Sequence, residues 1–347
     1  MATLFGDTSG TLSGNQRGKH QDLVGTDNEN NLLFGDAGGA LTDAARGGND
    51  TLTGGDSNGS DFLIVNELFG DADQMTDAAR GGNDILTGGD SNGTGRLLSN
   101  SLFGDAREMT GAAHGGNDTV TGGDNNGSSR TVSNSLFGDA HEMTEAAHGG
   151  DDTMTGGDHN GGRGIVDNAL FGDADQMTGA AHGGDDILTG GDINSGPLVI
   201  NELVGDAREM TEAAHGGNDT LTGGDNNSAA GSIVNELFGD AHEMTGAAHG
   251  GNDTLTGGDH NGGEGLVLNT LVGDAEQMTG TAHGGNDRLI SGINASDQMW
   301  GDAQSLLESA TGGQDTFVFV GAFGSDFVND FRQGEEDRKS TRLNSSH

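Results

Sequence analysis

The sequence contains no cysteine and no tyrosine, one proline, one tryptophan and only 14 lysines and arginines in 347 residues. Each scarcity excludes something. Without thiols there can be no disulfide scaffold and no soft-metal thiolate site. Without a basic surplus the chain has no electrostatic reason to hold nucleic acid or an anionic membrane. Apolar residues make up 31% of the chain and no run is long enough for a membrane span. One large compact core is therefore not expected, although a thin core running along a rod is possible.

What is abundant is glycine, with 68 residues, and acid, with 55 Asp and Glu and a formal charge of −41. That combination ordinarily marks disorder. A strict repeat argues otherwise. The fullest copies read N-x-L-[FV]-G-D-A-x-x-M-T-x-A-A-[HR]-G-G-[ND]-D-x-L-T-G-G-D. The glycine of G-D-A falls at Gly35, Gly70, Gly104, Gly138, Gly172, Gly205, Gly239 and Gly273, in steps of 33 to 35 residues. A fixed period of this size is the signature of a stacked, quasi-one-dimensional protein. The expected fold is all-β, a right-handed parallel β-roll of ~34-residue repeats, with short helical insertions possible.

Four regions follow. Residues 1–31 are a degenerate opening and 32–292 the regular array. Residues 293–336 change character, holding five of the 13 Phe, and read as a cap over an exposed core end. Residues 337–347, Asp337 to His347, are unrelated to the rest and match the translation of a common sequencing-library adapter, so they are set apart as a non-native tail. Met1 to Asp7 already contains the repeat's L-F-G-D, and no signal peptide is visible. The chain therefore reads as a piece of something longer, without its natural C-terminus.

Each unit contains an internal echo. Asn66 to Ala72 parallels Asp84 to Asp90, with Leu68 and Leu86 18 residues apart, and Leu102 16 further on. The coil could be 34 residues, with the half-units in opposite sheets, or about 17, with the half-units as neighbouring strands of one sheet. Ala72, Met75, Ala78 and Ala79 share a helical face that Gly81 can stop. Parallel strands stack about 4.8 Å apart, whereas helices need about 8–10 Å. One helix per 34 residues fits two strands per unit, so the shorter coil is favoured, giving a rod on the order of 90 Å. The Met column is read as core.

The chemistry lies in the acids. Under the favoured stacking, Asn66, Asp84, Asn100 and Asp118 belong to one column before the strands. The candidate ligands are Asp50, Asp84, Asp118, Asp152, Asp186, Asp219, Asp253 and Asp287; beside them Asp36, Asp71, Asp105, Asp139, Asp173, Asp206, Asp240 and Asp274; and after the strands Asp56, Asp90, Asp124, Asp158, Asp192, Asp225 and Asp259. Two carboxylates about 5 Å apart repel by roughly 0.8 kcal/mol in water and by more in lower dielectric. Repeated along a rod, this opposes folding unless a cation intervenes. Calcium takes six to eight oxygens in flexible geometry, and glycine turns expose carbonyls that can join the carboxylates; magnesium demands a stricter octahedron. The G-D-A aspartates have a second reading, as caps of the segment that follows.

The segment Gly82-Asn83-Asp84-Ile85-Leu86-Thr87-Gly88-Gly89-Asp90 resembles the RTX (haemolysin-type) calcium-binding repeat, GGxGxDxUx. The resemblance covers roughly residues 32–336. It places the family's Asp on the Asp50-to-Asp287 column and its apolar position on Leu52, Leu86, Val120, Met154, Leu188, Leu221, Leu255 and Leu289. Asp315 to Glu336 looks like the segment that caps such arrays. The resemblance implies several Ca2+ ions between coils, an extracellular location and export by type I secretion machinery. The motif here recurs once or twice per 34 residues rather than in tandem, and the Asn66-type half-unit lacks the Asp.

Other patterns carry less. His114, His148, His182, His215, His249 and His283 form a column that Arg46 and Arg80 continue, read as cations at helix C-termini. His141-Glu142-Met143-Thr144-Glu145 only begins like a zinc-protease motif, and other copies break it. No nucleophile elbow or P-loop occurs, so this stretch is read as non-enzymatic. Thr-x-Thr pairs such as Thr119/Thr121 read as β-favouring surface residues, since the favoured stacking puts Glu67/Phe69-type rows between them. The expected function is a secreted calcium-binding repeat region that folds on meeting calcium. Alternatives are the C-terminal export module of an enzyme or toxin lying upstream, and an adhesin or ice-binding surface.

Overall fold

A computed structural model describes residues 1–59, 63–92, 97–127, 131–228, 230–322, 324–330 and 338–342. All regular structure among them is β, and every strand pairing is parallel. One coil shows the plan. Ile64–Phe69 lies in a first sheet of 11 strands, Ala72–Met75 in a second of nine, and Ile85–Thr87 in a third of 11. The chain then returns to the first sheet at Leu98–Phe103, which pairs residue for residue with Ile64–Phe69.

The coil is therefore one whole repeat of about 34 residues, in three sheets. This corrects the 17-residue coil. Leu68 and Leu86 are not neighbours in one sheet; they point inward from two sheets into a shared core, each fully buried. At about 4.8 Å per coil, 11 strands give a rod on the order of 50 Å rather than 90 Å. With one strand of each sheet per coil, successive coils lie too close to leave room for helices. The 72–79 segment accordingly runs as a strand and then a tight turn. Ala72, Met75 and Ala79 are all inward: Ala72 and Met75 lie three apart, so this short strand does not alternate strictly, and the turn after it brings Ala79 back to the core. Asp77 takes the left-handed region there at φ 62°, as does Glu145 at 64°. Glycine stands at the same turn position in the next coil, Gly111 at φ 76°, where no Cβ opposes that geometry.

Two side-chain columns hold successive coils in phase. Inside the first sheet, Asn66 Nδ2 donates to Asn100 Oδ1 at 2.8 Å, Asn100 to Asn134, and Asn134 to Asn168, each at 2.8 Å. Each amide also closes on the glycine pair of its own coil: Gly123 N–H donates to Asn134 Oδ1 and Asn134 Nδ2 to the Gly123 carbonyl. The Asn66-type residues thus form a self-satisfied ladder, separate from the Asp84 column with which they were expected to alternate. At the corner, Phe69, Phe103 and Phe137 stack at 4.8 and 4.9 Å with planes 5° and 3° apart. The Met column is core as read, with Met75, Met109 and Met143 fully buried.

The terminal coils are shorter, 29 residues at the start and 28 at the end. Over the last ones lie Trp300, beside Val272, and Phe317 and Phe319, in the Leu core. Arg338–Arg342 runs parallel to Thr316–Val320. No helix among the described residues is long and apolar enough to cross a membrane.

Asn134→Ala would orphan the Gly123 N–H and carbonyl, and would take one of two partners from the Asn100 side-chain nitrogen and from the Asn168 side-chain oxygen. Buried groups orphaned this way cost about 1–3 kcal/mol each, so the substitution is expected to destabilise by about 3 kcal/mol or more in urea unfolding. Ser133→Ala, one residue away on the outward face, is expected to stay within about 0.5 kcal/mol. Equal effects would contradict the ladder.

Candidate metal centre

The three aspartate columns part company in the fold. The Asp84 and Asp71 columns turn inward: Asp84, Asp118, Asp152, Asp71, Asp105 and Asp139 are all at most 2% exposed. The Asp90 column stays half-buried at the surface. There each carboxylate is satisfied by the neighbouring coil. Asp56 Oδ1 accepts from Asp90 N–H at 2.9 Å and Asp56 Oδ2 from Asn92 Nδ2 at 3.0 Å. The same pattern recurs with Asp90, Asp124 N–H and Asn126.

The inner columns are only half-satisfied. Asp84 Oδ1 accepts the backbone N–H of Asp50, one coil back, and Asp118 Oδ1 that of Asp84 at 2.6 Å. The second oxygen, Oδ2, finds no donor in Asp50, Asp84, Asp118, Asp152, Asp186, Asp219, Asp253 or Asp287. In the G-D-A column, Asp71 Oδ2 accepts Gly82 N–H at 2.9 Å, while Asp71 Oδ1 has no donor. Asp36, Asp173, Asp206, Asp240 and Asp274 each keep one such oxygen, whereas Asp105 and Asp139 share the N–H of Gly116 and Gly150 between both oxygens. These residues cap no helix, so that reading of the G-D-A aspartate is corrected.

Glycine makes this convergence possible. A methyl group on Gly81 would lie 1.6 Å from Asp105 Oδ1 and 2.6 Å from Asp71 Oδ2, so carboxylates of successive coils share the space a Cβ would fill. A methyl on Gly70 would lie 2.3 Å from Asp84 Oδ2 and 1.7 Å from the Gly104 carbonyl oxygen. Carboxylate and carbonyl oxygens therefore meet along one buried seam. Among the described residues no group of three or more His, Asp or Glu side chains is placed to hold a metal ion by itself. The seam offers carboxylates in pairs, with backbone oxygen as the remaining donor. That all-oxygen set fits a hard divalent cation.

The electrostatics are severe. Burial first, and neighbouring carboxylates second, push Asp71, Asp118, Asp139 and Asp219 well above the ordinary carboxylate range. Burial lifts Asp50 to about 7. Asp206 also stands at about 7, raised by burial and partly restrained by the Gly217 N–H and by Asp173 and Asp240. The outer Asp124 reaches about 6.

The histidine column is not at a helix end. His114, His148, His182, His215 and His249 stack face to face with ring centroids 4.7 to 4.9 Å apart. Partial burial, and then the charges of Arg80 and His148, lower His114.

These shifts set the pH dependence. A carboxyl whose folded value is raised contributes stability that is complete below its unfolded value, near 3.8, and is lost as pH rises through the folded value, about 7 for Asp50 and Asp206. The lowered histidines act oppositely, losing stability as pH falls below 6.5, but they are partly exposed and so better solvated than the buried carboxyls. With chelator present, the melting temperature is therefore expected to fall between about pH 4 and about pH 8. A rising curve over that interval would contradict the buried, uncompensated seam. No protein-family model, no curated protein and no solved structure matches the chain.

Proposed function

We propose that this chain is a non-enzymatic calcium-binding β-solenoid whose inner aspartate seam takes up several ions, so that cation binding and folding are one process. The observation that carries the reading is the row of Oδ2 atoms from Asp50 to Asp287, buried and without a donor. A buried carboxylate oxygen without a protein donor is relieved by a proton, by an ordered water or by a cation, and a cation relieves two neighbouring carboxylates at once. At neutral pH in a calcium-rich medium, the cation competes successfully. Asp71-type and Asp84-type carboxylates, with carbonyls such as that of Gly104, would hold it. The resemblance to the RTX repeat points the same way, and extends the proposal to an extracellular setting reached by type I secretion. Free energy of ion binding then becomes free energy of folding. The outer Asp90 column, already satisfied by amides, is a structural ladder with no need of an ion.

The test separates the columns. Circular dichroism during a calcium titration of the chelated protein at about pH 8 is expected to gain β signal, with magnesium much less effective. Asp118→Asn removes one charge from the seam. It is expected to raise stability in chelator and to diminish the gain on adding calcium, whereas Asp90→Asn changes that gain little. Identical spectra with and without calcium, or equal loss from both variants, would reject the proposal.

A further inference from the structure

A coil of one whole repeat decides what the third sheet presents to solvent. With a whole repeat per coil, no Glu67/Phe69-type row intervenes, because those residues lie in the first sheet. From Thr51–Thr53 to Thr254–Thr256, each strand of the third sheet buries its middle residue, such as Leu52 or Val120, and turns the residues on either side outward. Successive strands pair without a register shift: Thr119 opposes Thr153 and Thr121 opposes Thr155, and the pattern continues through Thr220/Thr254 and Thr222/Thr256. Two outward columns result. The second is threonine in every row from Thr53 to Thr256. The first, from Thr51 to Thr254, departs only at Ile85 and Ile187.

The columns form a lattice. Rows repeat at the strand spacing, about 4.8 Å, and the two columns lie about 6.6 Å apart, two residues along an extended strand. Open sheets normally twist by about 20° per strand. Here the stacked rings from His114 to His249 are 4° to 8° out of parallel and those from Phe34 to Phe171 are 3° to 12°. Successive coils therefore turn by less than that over this stretch, and with no register shift the threonine columns stay in line. The two columns carry no charge from Thr51 to Thr256, on a chain of net charge −41; the outward column beside them is asparagine except at the exposed Asp151 and Asp185, and Asp22 and Arg288 close the rows at either end.

We infer that this face is a binding surface for ice. Charge and shape select that occupant. A charged ligand would be drawn to the charged faces, and a sugar lattice is usually gripped by aromatic platforms, of which this face has none. A neutral, two-dimensional array of hydroxyls with methyl groups between them matches the periodic oxygens of a crystal of water. The hydroxyls can take lattice positions while the methyls leave the intervening water ordered rather than bound. Threonine chosen only for strand propensity would need neither the register nor the exclusion of charge.

The inference is independent of the metal reading and is tested on the full chain in calcium, under conditions where circular dichroism shows β structure. Expected are thermal hysteresis, faceted ice growth and retention of the protein in slowly grown ice. The double variant Thr121→Tyr/Thr155→Tyr breaks the array at its centre and is expected to lose most of the hysteresis with an unchanged spectrum. Ser99→Tyr/Ser133→Tyr adds the same bulk to the outward face of the first sheet and is expected to retain it. Folded protein without hysteresis or retention in ice overturns the inference, as does equal loss from both variants. The calcium titration reports on the seam whichever result is found.

Discussion

In this rod every side chain meets its own copy about 4.8 Å away, in the coil before and the coil after. That constraint sorts residue types by how they tolerate themselves. Amides gain most, because each is donor and acceptor at once, and the Asn66-to-Asn269 ladder closes without remainder. Phenylalanines stack, leucines and methionines bury one another, and small alanines let the second sheet come close. Carboxylates are the residues that self-stacking penalises. Two columns of them inside the coil are the least expected feature of a stable fold, and so the most informative one.

The contrast between columns strengthens the functional reading. The same chain carries a column of aspartates at the surface, where the carboxylates accept from backbone N–H groups and, at Asp56, Asp90 and Asp124, from asparagine amides as well. The inner aspartates could have been asparagine, as their neighbours in the first sheet are. An amide at Asp84 would still accept the Asp50 N–H and could donate onward. Keeping an anion there, with one oxygen facing its own copies, favours a role that neutral amides cannot perform. Cation binding is such a role, and protonation at low pH is its metal-free equivalent.

Much of this was legible in the residues. The period, the all-β stack, the Leu and Met core and the set of candidate acids follow from in-phase repetition. What the pattern could not supply was the number of turns per repeat. The echo of Asn66-to-Ala72 in Asp84-to-Asp90 suggested two equivalent strands in one sheet; in the structure they are two faces of one coil. The 3.6-like spacing of Ala72, Met75 and Ala79 fitted a helix equally well as a strand followed by a turn. Local pattern was ambiguous there, and only the stacking distance decided it. The same error hid the difference between Asn66 and Asp84, which look interchangeable in the repeat but occupy different walls.

Coil length also decides what the outside can do. With two strands per repeat in one sheet, outward rows would alternate Thr-x-Thr with Glu67-type and Phe69-type residues, and no periodic surface could form. With one strand per sheet, each wall repeats one sequence position, so each wall has its own chemistry: an acidic, corner-stacked first wall, a second wall with a histidine and arginine column at its end, and a third wall with two uncharged threonine columns. Interior and exterior are independent in such an architecture, since alternate residues of a strand face opposite sides. The chemistry of the aspartate seam and that of the threonine wall can therefore be set separately. The stacking that makes the seam costly is the same stacking that keeps the threonine columns in line.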